Sequence, residues 1–194
     1  QVNNVYSMEF DGDDKINCGS ATSYDNFTLS VWVNKDSLAP DYAGIFGTRN
    51  TPTSPIIFPH LLSLDTGGYI RLIADGAIKV LSNSALANNT WYHVVGVGDG
   101  TNLKLYIDGI LQNDVKNYTT PLPSATNDLM IGAQWNTDTQ YPWVGKIDEA
   151  AIFDTALTAQ EVQSIYNATA IVSGVSKTAD LSQLTTPPIK WYRM

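Results

Sequence analysis

Asp-Gly pairs begin at Asp11, Asp75, Asp99 and Asp108, and together with Gly67-Gly68 they cut this chain into short stretches. A tight hairpin turn needs positive φ at its centre, which Gly, Asn and Asp adopt most cheaply. The intervening runs favour β-branched and aromatic residues: Val5–Phe10, Phe27–Asn34, Ile56–Leu64, Tyr69–Ala74, Trp91–Gly98, Leu103–Ile107, Leu129–Gly132 and Val144–Phe153. The clearest alternation sets Phe27, Leu29, Val31 and Val33 on one face and Thr28, Ser30, Trp32 and Asn34 on the other. One face is therefore core, and the other carries a Trp among small polar groups. Leu103–Ile107 and Ile110-Leu111, joined by Asp108-Gly109, form the best hairpin signal.

Helical pattern is confined to Thr158–Tyr166, where Thr158 and Glu161 have capping-box spacing and Leu157, Val162, Ile165 and Tyr166 fall on one side. Many short strands and one late helix predict an all-β fold, two antiparallel sheets packed as a jelly-roll sandwich with one short C-terminal helix. The sandwich is expected to occupy residues 1–167. Residues 168–194, rich in Ser, Thr and Pro and containing Pro187-Pro188, read as a linker or tail leading toward a following module.

Composition narrows the function. Eleven basic against nineteen acidic residues give a net charge of −8, with only three arginines, which disfavours a nucleic-acid partner. No apolar run is long enough to span a bilayer, so membrane insertion is not expected. The single cysteine, Cys18, excludes an internal disulfide and reads as a small buried side chain. Sequons at Asn26, Asn88, Asn117 and Asn167 are no more frequent than this Asn, Ser and Thr content gives by chance. His93, alternating with Tyr92 and Val94, reads as a hydrogen-bonded histidine in or near the core.

Seven motifs in order carry a family resemblance: Phe10–Asp14, Phe27–Val33, Asn89–Val95, Leu105–Gly109, Ile131-Gly132, Gly145–Glu149 and Ala156–Val162. In this order they resemble the laminin-G-like, concanavalin A-like jelly-roll domains, a fold shared by lectins, adhesion modules, pentraxins and glycan hydrolases. The resemblance implies a carbohydrate-binding module. The resemblance also implies a structural calcium, with Asp11 and Asp148 as candidate ligands and Glu9 and Glu149 as neighbours. Capped turns explain those carboxylates equally well.

Glucanases of this fold carry E-x-D-x-x-E on one strand. Here the matching positions hold Lys146, Asp148 and Ala151, and Asp148 and Glu149, adjacent in a strand, are expected on opposite faces. No catalytic residues are assigned and the chain is read as a non-enzyme.

Similarity to the pentraxin ligand site points instead to Gly132–Asp138 and to Arg49-Asn50, read as a loop after Thr48. Asn50, Asn136 and Asp138 are oxygen donors suited to one calcium ion. Trp135, Tyr141 and Trp143 among Gln134, Asn136 and Asp138 suit a sugar, whose C–H faces stack on aromatic planes while amides and carboxylates meet its hydroxyls. The alternative is that these aromatics plug the end of the sandwich. Trp135 is expected exposed and Trp143 buried. The resulting expectation is a glycan-recognition module of a larger extracellular, cell-surface or virion-surface protein, with calcium as its candidate cofactor. The rival is a structural or protein-adhesion module contacting neighbouring domains without a small ligand.

Overall fold

The computed structural model describes residues 2–4, 7–50, 57–76, 78–168, 170–172 and 175–193. Its strands are β1 (Val2–Asn4), β2 (Met8–Asp11), β3 (Ile16–Ser20), β4 (Asn26–Lys35), β5 (Gly44–Asn50), β6 (Ile57–Leu64), β7 (Tyr69–Ala74), β8 (Ile78–Ala85) and β9 (Trp91–Asp99). They continue with β10 (Asn102–Ile107), β11 (Ile110–Leu111), β12 (Lys116–Asn117), β13 (Asp128–Ile131) and β14 (Val144–Phe153). Helix α1 (Ala159–Asn167) precedes β15 (Ala170–Val172), β16 (Val175–Thr178) and β17 (Lys190–Tyr192).

Two antiparallel sheets form the body. The larger has eight strands, with the path β11-β10-β9-β4-β14-β17, β12 beside β10 and β2 beside β14. The smaller has six, ordered β3-β13-β5-β6-β7-β8. A separate three-stranded sheet is ordered β1-β16-β15. The alternation in β4 does what its pattern predicts: Phe27, Leu29, Val31 and Val33 are fully buried and join Leu62, Leu72, Ile131 and Ile147 in the main core. Gly96 is required where β9 faces β7, since a Cβ there would lie 2.7 Å from the Leu72 side chain.

The outer face of the eight-stranded sheet has its own core. Val95, Val97, Ala151 and Phe153 pack against Leu157, Val162 and Ile165 at and on α1. Thr158 caps that helix as expected: its hydroxyl accepts from Glu161 N, and the Glu161 carboxylate accepts from Thr158 N. The predicted hairpin also forms, pairing Tyr106 with Leu111 and Ile107 with Ile110.

Several expectations change. Val5, Tyr6 and Ile56 lie outside the described residues, and the corresponding strands run Met8–Asp11 and Ile57–Leu64. Cys18 is half-buried at the core edge rather than fully enclosed. Within the stretch read as linker or tail, Lys190–Tyr192 pairs with Ala150–Ile152 of β14, and Leu181 is buried in the second core. The two prolines favour extended backbone, which also suits a short strand added to an edge. Among the described residues no helix is long and apolar enough to cross a membrane.

Candidate functional site

Arg49 and Asn50 belong to β5 rather than to a loop, and both side chains are buried. Residues 44–50 are buried on both faces, so this strand lacks an exposed alternating edge. Arg49 nevertheless meets the segment beginning at Gly132. Its backbone N donates to Gln134 O (3.1 Å), and Nη1 donates to Gln134 Oε1 (2.9 Å). Its guanidinium stacks 4.4 Å from the Trp135 ring and 5.4 Å from the Phe58 ring. Burial pulls Arg49 below its ordinary pKa, opposed by Tyr141 and Asp138.

Asp138 braces the loop. Oδ2 accepts from Gln134 N (3.0 Å), and Oδ1 accepts from Gln140 N (2.9 Å) and Tyr141 N (3.0 Å). Gln134 Nε2 donates to Tyr42 O (2.6 Å), tying the loop to the chain entering β5. Gly44 allows this close approach, because a Cβ there would fall 2.3 Å from the Ala133 carbonyl carbon. Tyr141 packs edge-on against Tyr42 and Trp135, each pair with centroids 6.1 Å apart. Arg71 stacks 4.7 Å from the Tyr42 ring and donates from Nε to Ser63 Oγ (2.7 Å).

The expected segments thus meet, but Trp135 is only 4% exposed, which corrects the expectation of an open indole. The Arg49 face supplies the enclosure that its polar sequence neighbours concealed. Trp143 is fully buried as expected and closes the sandwich core. Gln134 and Asp138 are also buried, leaving Asn136 and Gln140 exposed and Tyr42 and Tyr141 half-buried at the rim. Asn50 is directed elsewhere: it donates to Ser124 O (2.6 Å) and accepts from Thr126 N (2.8 Å), so it does not join Asn136 and Asp138 in one ligand set. Tyr42 and Arg71 had no sequence signal; their place here depends on strand pairing.

The metal candidates separate as well. Asp11 pairs with Val144 on β14, four residues before Asp148, or about 13 Å along the strand. They do not share a site. Asp11 instead clusters with Asp13 and Asp14, one carboxylate oxygen from each lying within 4.8 Å of the others. Such hard oxygen donors fit calcium chemistry. A side-chain hydrogen bond with Asp13 lowers the Asp11 pKa, and the same interaction raises that of Asp13.

In the middle of the same strand, a bulge overturns the expected opposition of Asp148 and Glu149. The pairing passes from Asp148↔Trp32 to Ala151↔Ser30, and Glu149 adopts φ +51°. This extra residue breaks alternation. Glu149 consequently lines the same small space as Ser30, Trp32 and His93. Its Oε2 accepts from Trp191 Nε1 (2.5 Å), and its Oε1 lies 3.9 Å from Arg193 Nε. Both carboxylates are buried. His93 is hydrogen-bonded to Ser30 Oγ (2.9 Å) and stacked on Trp32, and burial lowers its pKa to about 3.

The family model for concanavalin A-like lectin/glucanases matches residues 10–163, from the Asp11 turn into α1. The chain belongs to this superfamily. Within it, a protein of Bacteroides ovatus assigned to carbohydrate binding aligns with TM-score 0.71 at 15% identity, over 99% of this chain and 52% of its own. This chain therefore spans about half of that protein. A heptameric SAP-like pentraxin from Limulus polyphemus aligns with TM-score 0.62 at 15% identity, over 92% and 97% of the two chains. Domain 4 of the extracellular arabinanase AbnA of Geobacillus stearothermophilus, solved with arabinotriose, gives 0.56 at 20% identity over 81% and 75%. These structural similarities establish the shared fold. Among curated sequences none matches.

Proposed function

We propose that this superfamily member is a non-catalytic glycan-recognition module of a larger extracellular protein. The observation carrying this reading is the braced rim: Tyr42 and Tyr141 are half-buried beside exposed Asn136 and Gln140, on a loop held by Asp138. Partly open aromatic surfaces and nearby amides meet the two requirements of a sugar ring, an apolar face and directed hydrogen bonds. The carbohydrate-binding assignment of the Bacteroides protein and the arabinotriose complex of the arabinanase domain support the same class of ligand. The engagement of Glu149 by Trp191 supports the non-catalytic reading.

A glycan array probed with and without EDTA tests it. Retention of a glycan by the wild type, lost in Tyr141→Ala, is expected; no retained glycan overturns the proposal. Loss of retention in EDTA would assign calcium a part, for which the Asp11, Asp13 and Asp14 cluster is the candidate position. Exposed Ile110 and Leu111 favour protein adhesion as the second reading. Self-association abolished by charged substitutions there, with no glycan retained, would support it.

A further inference from the structure

Beyond the end of β5, where Asn50 is bonded to Ser124 and Thr126, lies an open cavity of about 600 Å³. Tyr24, Asp25, Asn26, Ser124 and Asp154 contribute to its wall. The volume falls in the about 300–1,000 Å³ range of small-ligand sites. Among the described residues no Lys, Arg or His lines it, whereas two carboxylates do.

Buried groups hold the wall from behind. His60 is fully buried, and its Nε2 donates to Thr22 O (3.0 Å). Tyr118 donates its hydroxyl to Asp25 O, while Asp25 Oδ1 accepts from Leu122 N (2.7 Å). Ser23 Oγ donates to Pro123 O (2.6 Å), joining the two loops across the cavity. Asn50, 6% exposed, fixes both Ser124 and Thr126. A pocket held in this way can receive a ligand without first ordering its loops.

We propose that this cavity is a second saccharide site, selective for neutral sugar residues. Carboxylates and amides accept hydroxyl hydrogen bonds, Tyr24 supplies an aromatic surface, and the two acidic groups disfavour a uronate or another carboxylated sugar. None of its lining residues belongs to the rim loop, so the two sites are distinguished by different amide signals.

Titration of the folded chain with neutral methyl glycosides, followed by amide chemical shifts, provides the test. Methyl glucoside, galactoside, mannoside and arabinofuranoside are compared with glucuronic and N-acetylneuraminic acids. At least one neutral glycoside should produce saturable shifts at residues 21–26 and 121–126, while the acidic sugars bind at least about tenfold more weakly. Asp154→Asn, at an exposed position, should weaken the neutral sugar about fivefold or more without changing the melting temperature. Tyr24→Ala should also weaken it. Shifts confined to residues 136–141, equal binding of acidic sugars, an unaffected Asp154→Asn variant, or no response to any neutral glycoside would each overturn the proposal.

Discussion

Substituting Asp138 by Asn keeps the side chain's shape but removes its charge and replaces one acceptor oxygen with a donor. In the folded chain that carboxylate receives three backbone N–H bonds of 2.9–3.0 Å and is 2% exposed. The remaining oxygen can retain the Gln140 and Tyr141 donors as neutral bonds, weaker by about 0.5–1 kcal/mol each. The Gln134 N–H then faces an NH₂ group, losing a charge-assisted bond worth about 1.5–3 kcal/mol. The total is about 2.5–5 kcal/mol, corresponding to a melting-temperature drop of about 5–20 °C for a chain of this size. Thermal unfolding by circular dichroism in EDTA and in millimolar calcium measures it. The deficit should be the same in both buffers, because the carboxylate's work is done by backbone donors. A variant melting with the wild type in EDTA, or a deficit present only with calcium, would refute the bracing argument.

Acid should destabilise the fold before ordinary carboxylates titrate. Burial lowers the His93 pKa to about 3, and His60 is lowered in the same sense, so the unfolded chain binds more protons as pH falls below about 6.5. Stability present above that pH should fall by about 1.4 kcal/mol per unit for each neutral buried histidine down toward its folded pKa. Urea unfolding at pH 7 and pH 5 checks the slope; equal stabilities contradict it. Thr158→Ala should cost about 1 kcal/mol through the lost cap, read from the denaturation midpoint; no change would show that the cap contributes nothing. Gly44→Ala should cost about 3 kcal/mol or more, because its Cβ meets Ala133 backbone rather than a movable side chain. A wild-type melting temperature would contradict that packing.

The sandwich was legible where apolar residues alternate with polar ones along a strand, as in β4. It was less legible in β5, whose burial on both faces removes alternation, and in β3, where Asn17 and Gly19 dilute the strand signal. The meeting of residue 49 with residues 134–138 was also legible, through the similarity to the pentraxin ligand site. The fate of Trp135 was not, because the guanidinium covering it is 86 positions earlier in the chain. Likewise, alternation predicts opposite faces for Asp148 and Glu149, and only the pairing of β14 with β4 reveals the bulge. The cavity beside Asp25 and Asp154 has no sequence signal because its lining comes from three separated segments, none with a motif.

The central claim is glycan recognition without turnover. Incubating the chain with the array's strongest oligosaccharide ligand, then measuring both bound and released sugar by chromatography, tests both halves together. Saturable binding and recovery of every oligosaccharide at its original length are expected; shortened products, or no binding, would contradict recognition without turnover.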